Sequence, residues 1–116
     1  MDKLTVYQKP TCSTCRQVLT ILRDAKAKFE TVDYFATPMS TATLRRLVQK
    51  LGLPPRELLR TGEETYKNLR LDENALSDNE LIKLMVSHPE LIQRPIIEKG
   101  DKAVLGRPPE NVTALL

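Results

Sequence analysis

The chain has no tryptophan, one histidine, two cysteines and only five aromatic residues among 116. An aromatic share of 4% argues against the stacking platform of a single-strand nucleic-acid binder. Lys and Arg outnumber Asp and Glu by 18 to 15, giving a net charge of +3, and the basic residues are scattered. Counterion-release binding to nucleic acid is therefore not indicated, whereas a small anion is within reach of such an excess. No apolar run approaches the about 20 residues of a membrane span. The stretch after Met1-Asp2-Lys3 is too short for a signal-peptide core, so the expectation is a cytoplasmic protein with no membrane partner. His88 is the one imidazole available to join the two thiols, so the four ligands of a structural zinc site are not assembled and no metal is expected. Repeats, low-complexity tracts and linkers are also missing. A hydrophobic fraction of 41% and a charged fraction of 28% fit one soluble globular domain over residues 1–116, by default a monomer.

What the chain does have is a Cys-x-x-Cys pair, Cys12 and Cys15, where a short apolar segment ending at Val6-Tyr7 gives way to a helical pattern. In a reducing compartment such a pair is redox-active or metal-binding more often than a structural staple. The nucleophile is the thiolate, which the open amides and positive dipole end of a helix start favour. An ordinary cysteine is roughly 3% ionised at pH 7, and lowering its pKa to about 6.5 would make it roughly 75% ionised. Cys12 is nearer the helix start, so it is expected to attack and Cys15 to resolve. Ser13 and Thr14 are expected to contribute backbone amides and caps, and Arg16 is a candidate for steadying a thiolate.

Leu4 and Val6 mark a half-buried strand, and Val18, Leu19, Leu22 and Ala25 share one face of a helix from about Thr14 to Ala25. Phe29 to Tyr34 alternates like a second strand, which completes a right-handed βαβ unit with parallel strands. Ser40 is a predicted N-cap for a helix carrying Leu44, Leu47, Val48 and Leu51, stopped by Gly52. Pro54-Pro55 opens a short helical turn through Leu59. Ser77 and Glu80 have capping-box spacing ahead of a helix to about Ser87, where His88 caps or packs. Ile96-Ile97 and Ala103-Val104-Leu105 flank a Gly-containing turn, the pattern of a hairpin. A last helix after Pro108-Pro109 would use Val112, Leu115 and Leu116. Arg23, Arg45, Arg46, Arg56 and Arg70 read as solvated surface residues. The element order matches a thioredoxin-like mixed four-stranded sheet with a helical insertion at about 38–92.

Four separated segments then carry a resemblance: Tyr7-Gln8-Lys9-Pro10-Thr11-Cys12, Leu58-Leu59-Arg60, Gln93-Arg94-Pro95-Ile96 and Gly106-Arg107-Pro108. Together they resemble the glutaredoxin-coupled arsenate reductases over nearly the whole chain. The resemblance implies that Cys12 is the nucleophile and that Arg60, Arg94 and Arg107 surround arsenate or a similar oxyanion. Guanidinium groups suit that task because they keep their charge and present a fixed fork of donors. It further implies no bound cofactor, a thiol co-substrate supplied by glutathione and glutaredoxin, and arsenite as product. Pro95 is expected to be cis, as the proline facing the cysteine loop commonly is in thioredoxin-type folds.

Two departures stand out. Cys15 occupies a position where many of these reductases have a residue without a thiol, so a Cys12–Cys15 disulfide recycled by thioredoxin or glutaredoxin is an alternative route. Gln8 stands where a histidine is common, which leaves Cys12 more dependent on the helix and the arginines. The sequence leaves open two further readings, an Spx-type redox regulator that binds RNA polymerase and a thiol oxidoreductase of other substrate. Arg107 together with Arg60 favours the enzyme, since a regulator has no need of a complete oxyanion ring.

Overall fold

Strand β1 (Leu4–Gln8) is buried at Leu4, Val6, Tyr7 and Gln8, and only Thr5 is partly open. The computed structural model describes residues 3–116; Met1 and Asp2, from which the leader argument starts, lie outside the described residues. The chain divides into two compact units, one formed by the segment up to Thr37 with Arg94–Leu116 and the other by Pro38–Gln93.

The first unit holds a four-stranded sheet in the order β2-β1-β3-β4. Here α1 is Ser13–Asp24, β2 is Phe29–Asp33, β3 is Ile96–Lys99 and β4 is Lys102–Leu105. β1 and β2 run parallel, with Leu4 opposite Phe29 and Gln8 opposite Asp33, and α1 is their crossover. β3 is antiparallel to both β1 and β4. This is the thioredoxin-like mixed sheet that the element order predicts.

Alternation sends Leu4 and Val6 to one face of β1, where they pack with Val18, Leu19 and Leu22 of α1 and with Ile97, Val112 and Leu115. Burying each such side chain is worth roughly 1.5–3 kcal/mol, so this cluster fixes α1 across the strand that leads into the cysteine loop. Tyr7 points to the opposite face and donates its hydroxyl to Glu98 at 3.1 Å. Gly100, at φ 59°, supplies the left-handed residue of the β3–β4 turn.

Two expectations need correction in this unit. Ala25 is exposed, because α1 ends one residue earlier and Ala25 is its C-cap, followed by Lys26 at φ 56°. The terminal helix is 3-10 over Pro109–Leu115, whose three-residue period stacks Val112 over Leu115 and leaves Leu116 52% exposed.

In the second unit the hydroxyl of Ser40 accepts from the Thr43 amide, and α2 (Thr41–Leu51) ends on Gly52 in the left-handed conformation. Pro55–Leu58 forms a 3-10 turn. α3 (Glu64–Asn68) was not predicted; its five residues bury none of their side chains and so show no apolar period. α4 (Asp78–Ser87) starts with the full reciprocal capping box between Ser77 and Glu80. His88 is its C-cap, donating its amide to the Leu84 carbonyl. Arg56 is more than the solvated residue expected, since its two terminal nitrogens donate to the carbonyls of Leu71 and Asn74, each at 2.9 Å. It closes the loop after α3 by satisfying carbonyls that no helix or strand uses.

Among the described residues, no helix is long and apolar enough to cross a membrane.

Candidate active site

The loop after β1 is closed by the Cys12 amide, which donates to the Lys9 carbonyl at 2.9 Å. Cys12 is then the N-cap of α1, with extended backbone angles of φ −79° and ψ 122°. N-caps are usually Ser, Thr, Asp or Asn because a side-chain acceptor must satisfy an open first-turn amide. Here sulfur does that work: the Cys15 amide donates to Cys12 Sγ at 3.3 Å. A thiol is a weak acceptor and a thiolate a strong one, so the capping geometry favours the ionised form. Ser13 and Thr14 open the helix, where the backbone amides have no intrahelical acceptor. No acidic residue stands in the first turn to oppose an anion. Arg16 is exposed, and the side-chain charges that act on Cys12 belong to other arginines.

Those arginines come from the two ends of the β3–β4 hairpin. Arg107 Nη2 lies 3.9 Å from Cys12 Sγ, and Arg107 Nε donates to the Arg94 carbonyl at 2.7 Å. Two unit charges at about 4 Å attract by about 1 kcal/mol in water and about 4 kcal/mol at an effective dielectric near 20. Arg107 is exposed, which places its contribution toward the weaker end.

Arg94 is different in kind. It is only 8% exposed, and its Nε and Nη1 are buried without a hydrogen-bond partner. The ring of Phe35 lies beside it, its centroid 5.6 Å from the guanidinium carbon. A buried guanidinium with idle donors is costly unless an anion completes it. A guanidinium pairs two oxygens of an anion along the edge of Nε with Nη2 or of Nη1 with Nη2, so each idle atom belongs to one such edge.

The Arg94-Pro95 peptide is cis, as expected for Pro95, and Arg107-Pro108 is a second cis bond that the sequence reading did not anticipate. Pro95 is buried, and its carbonyl accepts from the Gly106 amide at 2.9 Å. A Cβ on Gly106 would stand 2.9 Å from Pro95 Cγ and 2.9 Å from Val18 Cγ2. Glycine therefore lets the segment after β4 that carries Arg107 close onto the proline that follows Arg94.

The two thiols have opposite tendencies. Burial works to raise the Cys12 pKa, but hydrogen bonds from the Cys15 side chain and amide, then the charges of Arg107 and Arg94, outweigh it and leave it lowered. Cys15, fully buried, is pushed up to about 12 by burial and by its hydrogen bond to the Cys12 sulfur. Of the pair, Cys12 is therefore the one that ionises first, with Cys15 as the thiol that donates to it. Gln8 is buried at the end of β1 with its Oε1 unpartnered.

Arg60, the remaining sequence candidate, belongs to the helical unit. Its amide donates to the Leu91 carbonyl at 2.7 Å beside an antiparallel bridge between Leu59 and Ile92, and its Nε donates to Glu63 at 3.0 Å. Among the described residues no cluster of three or more His, Cys, Asp or Glu is assembled to hold a metal.

The model of the ArsC family matches residues 7–115, a span that includes both cysteines, all three arginines and Pro95. The chain belongs to the ArsC family. Over 115 residues it is 41% identical to the uncharacterized protein YfgD of Escherichia coli K12, covering 98% of this chain and 97% of that one. It is 39% identical to the arsenate reductase of Haemophilus influenzae over 96% of this chain and 97% of the relative. The solved arsenate reductase of Vibrio cholerae superposes with a TM-score of 0.94 at 39% identity, covering 99% and 98% of the two chains.

Within this ArsC protein the sequence reading missed Phe35 and gave no role of their own to Lys9 and Gly106. The ring of Phe35 also faces the Lys9 ammonium, 4.8 Å from its centroid. The one signal available was that Phe35 follows Tyr34 in a turn just past the second parallel strand.

Proposed function

We propose that this ArsC protein is an oxidoreductase that reduces arsenate to arsenite, with Cys12 as the nucleophile. The observation that carries the reading is the buried Arg94 guanidinium with its unpartnered Nε and Nη1, whose charge helps to lower the pKa of the Cys12 sulfur. Arsenate reductases among the relatives, at 35–39% identity over nearly the whole of this chain, support the substrate.

In the proposed cycle the Cys12 thiolate forms a bond to As(V), and one arsenate oxygen leaves as water after taking up protons from solvent. Arg94 and Arg107 hold the remaining oxygens of the adduct. A second thiolate then attacks the Cys12 sulfur. The electron pair of the S–As bond returns to arsenic, which departs as arsenite in the As(III) state, while the two sulfurs are oxidised to a disulfide. That second thiol comes from glutathione or from Cys15, and a glutaredoxin or thioredoxin restores the starting state. No bound cofactor is required. The need for reduced thiols supports a cytoplasmic setting. Arg60 is a further oxyanion ligand in this reading, on the resemblance alone.

The test is arsenate-dependent NADPH oxidation by the full chain with either glutathione, glutaredoxin and glutathione reductase or thioredoxin and its reductase. Wild type should turn over, and Cys12→Ser and Arg94→Ala should fail in both systems. Retained activity of Cys15→Ser with glutathione would assign the second thiol to glutathione; loss in both systems would assign it to Cys15. Turnover by Cys12→Ser would refute the reading.

A further inference from the structure

A cation that is buried and must keep its donors free for a ligand cannot be held in place by a carboxylate. Such a partner would occupy the fork and cancel the charge. Arg94 faces this problem, with Nε and Nη1 buried and unpartnered. What it does touch is the ring of Phe35, at 5.6 Å. An aromatic quadrupole attracts a guanidinium from within about 6 Å while using none of its N–H groups.

The ring is itself firmly set. Asp33 Oδ1 accepts from the Phe35 amide at 3.0 Å and from the Ala36 amide at 3.3 Å, an Asx turn that fixes the backbone just after β2. The Phe35 ring lies 5.1 Å from that of Tyr34, which is fully buried. The Lys9 ammonium sits at the same ring, 4.8 Å from its centroid, and Lys9 provides the carbonyl that closes the cysteine loop. Two cations sharing one ring repel each other, and the ring's attraction and a bound anion both offset that repulsion.

We infer that Phe35 is a positioning residue for oxyanion binding, holding Arg94, and beside it Lys9, through the face of its ring so that no Arg94 N–H group is spent on the residue that holds it. The inference rests on the proposed function only in its choice of site. It concerns how an oxyanion is held, whatever the later chemistry.

The experiment measures protection of Cys12 from iodoacetamide by arsenate and by inorganic phosphate, which needs no turnover, for wild type, Phe35→Tyr, Phe35→Leu and Phe35→Met. Phe35→Tyr keeps the ring and should protect at the wild-type concentration. Phe35→Leu should require roughly three- to thirtyfold more oxyanion. Phe35→Met repeats the test should the leucine variant fail to fold. In an Arg94→Ala background Phe35→Leu should have no further effect, because a residue acting through Arg94 has nothing left to act on. In steady state the loss should fall on the KM for arsenate far more than on kcat. Protection of both Phe35→Leu and Phe35→Met at the wild-type concentration would overturn the inference, as would an undiminished Phe35→Leu effect without Arg94. Protection of wild type without arsenate turnover would instead defeat the proposed function and leave Phe35 still measurable.

Discussion

Arg107 is tied to Arg94 by a 2.7 Å hydrogen bond from its Nε to the Arg94 carbonyl, while its Nη2 reaches to 3.9 Å from Cys12 Sγ. One residue thus joins the segment before β3, which carries the buried guanidinium, to the loop that carries the nucleophile. Lysine has no Nε donor to make the first contact while its charge makes the second. Arg107→Lys should therefore raise the Cys12 pKa toward its ordinary value and weaken oxyanion protection by about ten- to a hundredfold. The pH dependence of Cys12 alkylation, with and without phosphate, measures both effects.

Arg94 should oppose stability with function. Its buried guanidinium leaves two donors unpartnered, which is costly, so Arg94→Met, which fills a similar volume, is expected to stabilise the free protein by about 1–4 kcal/mol while removing oxyanion binding. Wild type should gain about 2.7 kcal/mol at an oxyanion concentration a hundred times its Kd, and Arg94→Met should gain nothing. Thermal melts with and without phosphate decide between these outcomes.

Alkylation should separate the two cysteines. Cys12, with its lowered pKa, should react with iodoacetamide below the pH at which an ordinary thiol does, whereas Cys15, raised to about 12, should stay unlabelled until the protein unfolds. The linkage signs are opposite. The contribution of Cys12 to stability is complete above the unfolded value of 9.0 and declines as pH falls through its lower folded value. That of Cys15 is complete below 9.0 and lost as pH rises to about 12, so Cys15→Ala should flatten the alkaline limb of the stability curve. Urea melts across that range check it.

Gly106→Ala tests the closeness of the hairpin to the cis-proline. The added methyl would meet Pro95 and Val18 at 2.9 Å, so either those side chains or the backbone at Gly106 must shift. Overpacking of this kind costs about 1–3 kcal/mol, and displacement of Arg107 should slow Cys12 alkylation at neutral pH. Ser77→Ala is the matched control. Loss of its capping box from α4 should cost about 0.5–2 kcal/mol and leave Cys12 reactivity unchanged.

Much of the fold was legible in the sequence because its signals are local. Ser40, Gly52 and the Ser77–Glu80 pair act within a few residues of themselves, and the stripes of α1 and α2 repeat often enough to be read. α3 was not legible, since five residues without a buried side chain carry no period. Cys12 and Cys15 declared themselves by spacing. Arg94 and Arg107 did so through resemblance to a family, since the features that distinguish Arg94 from a surface arginine, its burial and its idle donors, exist only in three dimensions. Phe35 was invisible for the same reason, being 59 residues from the guanidinium it faces.

Direct speciation of the arsenic formed from arsenate by the purified full chain, supplied with each thiol system in turn, tests the central claim most closely. The account predicts arsenite in step with the NADPH consumed for wild type and none for Cys12→Ser. Arsenite from Cys12→Ser at the wild-type rate, or none from wild type with any thiol system, would contradict it.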